Sequence, residues 1–192
     1  MERPRIPLWL KVAWTLWVAI WAPIYYHKYG SKNFLWFCDL GNFLIMAGLW
    51  AESAVVLSWQ ACSVLMVQIL FTIDLVVRAL FGVHPIGGTG YMFDDDGSHL
   101  SLGLRLLSLF HVVTPPVLIW CLSRTGYDGR GLAFQVATNA VVLPVCWLGW
   151  PETVNLNWVW GPFDRPQYVV RPPWLYLILC LLAYPVILSL PA

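Results

Sequence analysis

Six stretches of this chain run almost unbroken through apolar residues: Pro7–Tyr26, Asn33–Trp50, Ala54–Leu80, Leu102–Ser123, Gly131–Trp150 and Trp174–Leu190. A helix needs about 20 mostly apolar residues to cross a bilayer. The pattern therefore predicts an all-α polytopic bundle of six transmembrane spans, one transmembrane domain over residues 1–192. Ala51-Glu52-Ser53 alone separates the second run from the third, which predicts a tight helical hairpin. The third run is longer than a bilayer requires and is expected to tilt or project. Pro115-Pro116, Pro144 and Pro185 fall inside runs and predict kinks, with neighbouring groups satisfying the freed backbone. The first run follows Met1-Glu2-Arg3-Pro4-Arg5 like a signal peptide, but no small-residue cleavage site closes it. It reads as an uncleaved first helix.

Polar residues concentrate in two long connections, Gly82–His99 and Pro151–Pro173. Six crossings put both of these, together with Tyr25–Lys32, on one side of the membrane. The N-terminus, the Glu52 hairpin, Arg124–Arg130 and the C-terminus then lie opposite. Long structured loops are where sites tend to be built. Lys and Arg near the span ends are balanced between the two sides, so the positive-inside rule gives no orientation.

Composition strengthens the membrane reading. Hydrophobic residues make up 59% of the chain and charged residues 11%, against roughly 25% charged in a soluble domain. Thirteen tryptophans suit the membrane–water interface. A net charge of +1 carries no nucleic-acid footprint, so no nucleic-acid partner is expected. The five cysteines, Cys38, Cys62, Cys121, Cys146 and Cys180, form no CxxC or metal spacing. His84, His99 and His111 with Asp94-Asp95-Asp96 lack ligand spacing, so no metal is expected. Gly87-Gly88-Thr89-Gly90 lacks the lysine and context of a phosphate loop, and no cofactor is implied.

Ionisable and polar groups at membrane depth are costly and serve as functional candidates. Cys38, Asp39 and Asn42 lie early in the second span, and Asp74 and Arg78 close the third on the same side. Arg105, Ser108 and His111 lie in the first half of the fourth. A 1.5 Å rise per residue puts Cys38 roughly 8 Å and His111 roughly 12–15 Å below their helix starts. Asp74 and Arg78 have the i, i+4 spacing of a structural ion pair. Taken alone, Cys38 reads first as a small apolar filler, as most buried cysteines are, and His111 can hydrogen-bond a carbonyl freed by the Pro115 kink. The amides of Asn155 and Asn157 can satisfy irregular backbone or hold a lipid headgroup, and both uses stand open.

Three segments resemble a known pattern: Asn33-Phe34-Leu35-Trp36-Phe37-Cys38-Asp39-Leu40, Leu109-Phe110-His111, and Val154-Asn155-Leu156-Asn157-Trp158-Val159-Trp160-Gly161. They are similar to bacterial YwaF-type integral membrane proteins and to the related eukaryotic membrane acyltransferase that remodels ether phospholipids. The chain also looks like uncharacterised bacterial membrane proteins. The resemblance implies a bacterial inner-membrane protein with Cys38 as nucleophile and His111 as its base, acting on membrane lipid. Asp39 stands where that family is expected to carry a basic residue, and the Gly82–His99 loop has no placed counterpart. On chemical grounds Arg78 or Arg105 can hold a phosphate, and Asn42, one turn beyond Cys38, can donate to an oxyanion. Asn155 and Asn157 complete the candidate substrate contacts.

Three function classes follow: a lipid-acting acyltransferase or hydrolase, a non-enzymatic accessory subunit packed against membrane-protein partners, and a transporter. The last has the least support, because no internal repeat is present and the polar groups crowd to one side.

Overall fold

The computed structural model describes residues 6–93, 99–162 and 170–189. The Asp94-Asp95-Asp96 run lies outside them. Six helices form the bundle: α1 (Leu8–Tyr29), α2 (Phe37–Ala51), α3 (Ala54–Phe81), α4 (Leu102–Thr125), α5 (Arg130–Gly149) and α6 (Pro173–Tyr184). A π-helical turn at Pro185–Ser189 continues α6. No strand occurs among the described residues.

Local chemistry sets the element ends. No proline or glycine interrupts Ala54–Phe81, so α3 runs 28 residues before Gly82, at φ +73°, closes it through a bond from its N–H to Arg78 O. Between α2 and α3, Glu52 takes the left-handed conformation, and Ser53 caps α3 through Val56 N–H. A Lys11–Glu52 ion pair at 2.5 Å ties this hairpin to α1.

Four helices (α1, α3, α4 and α5) are long and apolar enough to cross a membrane. Only 22–33% of each one's most apolar window is buried inside the protein. Large apolar side chains such as Leu16, Leu80, Leu106 and Leu148 instead point outward. That arrangement fits an integral membrane protein and would be intolerable in water. Helix α2 and the apolar segment Pro173–Ile187 are shorter, and a 15-residue helix spans only about 22 Å.

The second helix begins at Phe37 rather than Asn33, because Ser31–Leu35 form a 3-10 turn and Trp36 is extended. Cys38 is consequently the second residue of α2, not a group lying roughly 8 Å inside it. Helix α4 breaks at Leu109, not at its prolines: Leu102–Ser108 and Phe110–Thr125 are separate helical runs, and the second continues through Pro115 and Pro116.

Helix α3 is the hub, packing on α2, α4 and α5, while its π-helical turn at Ala61–Leu65 meets the π-helical end of α6. At the tightest approach, Gly131 of α5 lies directly on the α3 backbone at Ser58 and Trp59. An aromatic cluster of Trp21, Tyr25, Phe34, Phe43 and Phe110 joins α1, α2 and α4 near the side that carries the 82–93 loop.

Candidate functional site

The loop after α3 is organised by one carboxylate. Asp74, fully buried, accepts hydrogen bonds from Ile86 N (2.8 Å), Gly87 N (3.1 Å), Thr89 N (3.0 Å) and Thr89 Oγ1 (2.6 Å). His84 Nδ1 lies 3.1 Å from Thr89 Oγ1 and 3.4 Å from Asp74 Oδ2. The Thr89 hydroxyl donates to the carboxylate, so the imidazole N–H points at both acceptors. A charged acceptor holding this many donors makes a strong clamp.

The Asp74–Arg78 ion pair expected from their spacing is therefore not what forms. Arg78 Nη1 donates to Gly82 O at 2.7 Å, and its guanidinium sits over the Phe93 ring. The i, i+4 spacing permitted the pair, but the loop amides outcompeted it for the carboxylate. Arg105 also serves the loop, donating to Leu100 O (2.9 Å) and Met92 O (3.2 Å). Both arginines, expected to hold phosphate, thus spend donors on loop carbonyls at the rim of the bundle.

The clamped loop delivers Tyr91 into the bundle. Burial pushes the Tyr91 hydroxyl pKa well above its ordinary value; nearby Ser108 opposes this, while Tyr25, Asp39 and Cys38 add to it. The Tyr91 ring also lies 6.3 Å from Phe71. Tyr25 and Ser108 are hydrogen-bonded at 2.7 Å, and Asn33 donates to the buried Asp39 carboxylate. A polar layer from α1, α2, the loop and α4 therefore lies beneath the roof. In the sequence Asp39 and Ser108 stand out only as polar groups at this depth, and Tyr25 and Tyr91 carry no signal of a site, since they look like interfacial aromatics until the loop is placed.

Cys38 and His111 both border this layer, yet no hydrogen bond joins them. The thiol lies by Gln68 and Asp39. The His111 ring is stacked between Phe110 (4.0 Å) and Phe71 (4.4 Å), with Nδ1 2.8 Å from Ser108 O. A carbonyl can only accept, so Nδ1 carries the hydrogen, and Nε2 of the neutral ring is the acceptor. The cause is the break at Leu109. Val112 N bonds back to Leu109 O at 2.9 Å, which leaves Ser108 O to the imidazole. The expected carbonyl partner exists, but the kink that frees it precedes the prolines.

Asn42 donates from Nδ2 to Cys38 O at 3.4 Å, while its Oδ1 is sealed off without a partner. Both atoms of the Gln60 amide and Oε1 of Gln68 are likewise buried without a protein partner. Asn155 and Asn157 resolve toward the backbone role. Asn155 bridges Trp160 N and Gly161 O. Asn157 accepts from Phe37 N at 2.9 Å and donates to Leu35 O at 2.7 Å, and its own carbonyl accepts from Tyr184. Both residues sit at positive φ, which asparagine tolerates. The Asn157 amide staples the 150–162 loop to the start of α2, the Asn155 amide ties the loop to itself, and both side chains are buried. Among the described residues no group of His, Cys, Asp and Glu could hold a metal. No family model, curated protein or solved structure matches this chain.

Proposed function

We propose that this membrane protein acts on a membrane phospholipid ester, by acyl transfer or hydrolysis, at the polar layer beneath the 82–93 loop. The observation that supports this reading is the gathering of Tyr25, Cys38, Asp39, Tyr91, Ser108 and His111 from four separate segments into one roofed half of the bundle. The resemblance at Asn33–Leu40, Leu109–His111 and Val154–Gly161 to YwaF-type proteins and their acyltransferase relatives points the same way, and would place the chain in a bacterial inner membrane.

In this scheme His111 Nε2 takes the Cys38 proton as the thiolate attacks the ester carbonyl. The bond to the glycerol oxygen breaks, and the proton passes to that leaving oxygen. The thioester then yields its acyl group to water or to another alcohol. Because no hydrogen bond links thiol and imidazole in the described state, the scheme requires the thiol to turn from Gln68 toward Nε2 when substrate enters.

Purified protein in vesicles of labelled phospholipid tests the scheme. Cys38→Ala is expected to reduce ester turnover to background, and His111→Gln to reduce it about 100-fold or more, with helical content unchanged. Turnover at the wild-type rate in Cys38→Ala removes the thiol mechanism.

The engagement of Cys38 with Gln68 and of His111 with Ser108 O, rather than with each other, favours a second reading: an accessory subunit whose buried polar groups are structural, with a membrane protein as partner. Wild-type protein that turns over no lipid and purifies in mild detergent with a stoichiometric partner would select it.

A further inference from the structure

A groove of about 430 Å³ runs between α1 and the first part of α4. Trp17 and Ile24 form one wall, Leu104 and Leu107 the other, and Ser101 and Gly103 lie at its loop-side end. We infer that this groove seats one acyl chain of a membrane lipid.

Four observations carry the assignment. The lining is apolar apart from Ser101, so a hydrocarbon chain fits it and a polar solute does not. Both walls belong to helices long and apolar enough to cross the membrane, so the medium outside the groove is lipid. The groove also follows the axis of a chain in that leaflet: Ile24 to Trp17 and Ser101 to Leu107 each cover about 10 Å along their helices, from the loop side toward mid-membrane. Finally, its walls pack against the aromatic cluster that holds Tyr25, and Ser108 Oγ donates to the carbonyl of wall residue Leu104. A chain lying here would pass alongside the Tyr25–Ser108 pair, at the edge of the polar layer. That last connection to chemistry rests on the proposed lipid-acting function; the seating of the chain does not.

Gly103 supplies the variant. A Cβ at this position meets nothing within 4 Å, so a large side chain can enter the groove without displacing the fold. Full-length protein would be reconstituted in phosphatidylcholine vesicles doped with a phospholipid bearing a diazirine on one acyl chain. After illumination, labelled peptides would be counted by mass spectrometry. Wild-type protein is expected to be labelled preferentially on the peptides containing Trp17 and Leu107. Gly103→Phe is expected to cut that labelling at least five-fold while leaving the outward faces of α3 and α5 as they were. Equal labelling of Gly103→Phe and wild type, or wild-type labelling no higher at the groove than on those other faces, would overturn the inference.

Cys38→Ala separates the two proposals. If it keeps groove labelling and also keeps full ester turnover, the groove stands and the thiol mechanism falls. If turnover depends on Cys38 while Gly103→Phe is labelled like wild type, the mechanism stands and the groove falls.

Discussion

Asp74→Ala is expected to release the 82–93 loop while leaving the helices in place. The substitution strips the acceptor from three backbone N–H groups and one hydroxyl, all of which converge on a carboxylate with no exposed surface. Hydrogen bonds to a charged acceptor contribute about 1.5–3 kcal/mol each, and donors left buried cost a similar amount. These contributions are not additive, and the loop can partly rehydrate once it lifts. A net local loss of about 3 kcal/mol is the working figure, or roughly a 100-fold rise in opening. Hydrogen exchange read at Ile86, Gly87 and Thr89 should accelerate by that factor, with little change at the centre of α5. Asp74→Asn keeps one acceptor oxygen but turns an NH2 toward the loop donors, so it should fall between wild type and alanine. If Asp74→Ala exchanges like wild type at those three amides, the carboxylate does not organise the roof. Because the loop carries Tyr91 into the polar layer, the same variant should also weaken any activity housed there.

Gly131→Ala should damage the whole bundle. A Cβ at Gly131 would lie 2.5 Å from Trp59 N and 2.6 Å from Ser58 C, both backbone atoms of α3 that no rotamer can move. The two helices must separate, which strains the Trp59 Nε1 bond to Gln135 (3.0 Å) and the Asp128 N bond to Ser58 (2.9 Å). Membrane helices rely on close backbone approach because lipid gives apolar surface no reason to hide. Overpacking of this kind costs about 3 kcal/mol, and thermal unfolding in detergent should show a clear fall in midpoint. Gly149→Ala, on the same helix with open space at its Cβ, is the matched control and should be neutral. A Gly131→Ala protein as stable as that control would mean that α3 and α5 do not touch there.

Much of this architecture was readable from the chain because bilayer length and apolarity constrain helices severely. The third span was predicted at Ala54–Leu80 and observed at Ala54–Phe81, where Gly82 provides an unambiguous stop. Errors arose where a tertiary partner overruled a local rule. Nothing in Asn33–Trp36 announces a 3-10 turn; Asn157, more than a hundred residues away, holds the chain there through Leu35 O and Phe37 N. Asp74 and Arg78 satisfied the spacing rule for an ion pair, yet the Gly-rich stretch after α3 brought a set of free N–H groups to the same carboxylate. That stretch was the available clue, since a carboxylate one turn or two before a glycine-ended helix can cap the loop that follows. The partner of His111 depends on a break at Leu109 that no residue type signals. Cys38 and His111 were brought to the same half of the bundle without being brought into hydrogen-bond contact, a distinction that only side-chain packing can make.

Everything proposed above presumes that α2 and α3 both cross the bilayer, so that the loop following α3 returns to the side from which α2 departs. Single cysteines introduced at Ser31, Gly88 and Gly129 read this directly when membrane-impermeant maleimide is applied to oriented vesicles. Ser31 is exposed, and a Cβ at either glycine meets nothing within 4 Å, while the five native cysteines are buried or half-buried. The account predicts labelling of Ser31→Cys and Gly88→Cys from one side and of Gly129→Cys from the other. Labelling of Ser31→Cys and Gly88→Cys from opposite sides would contradict it.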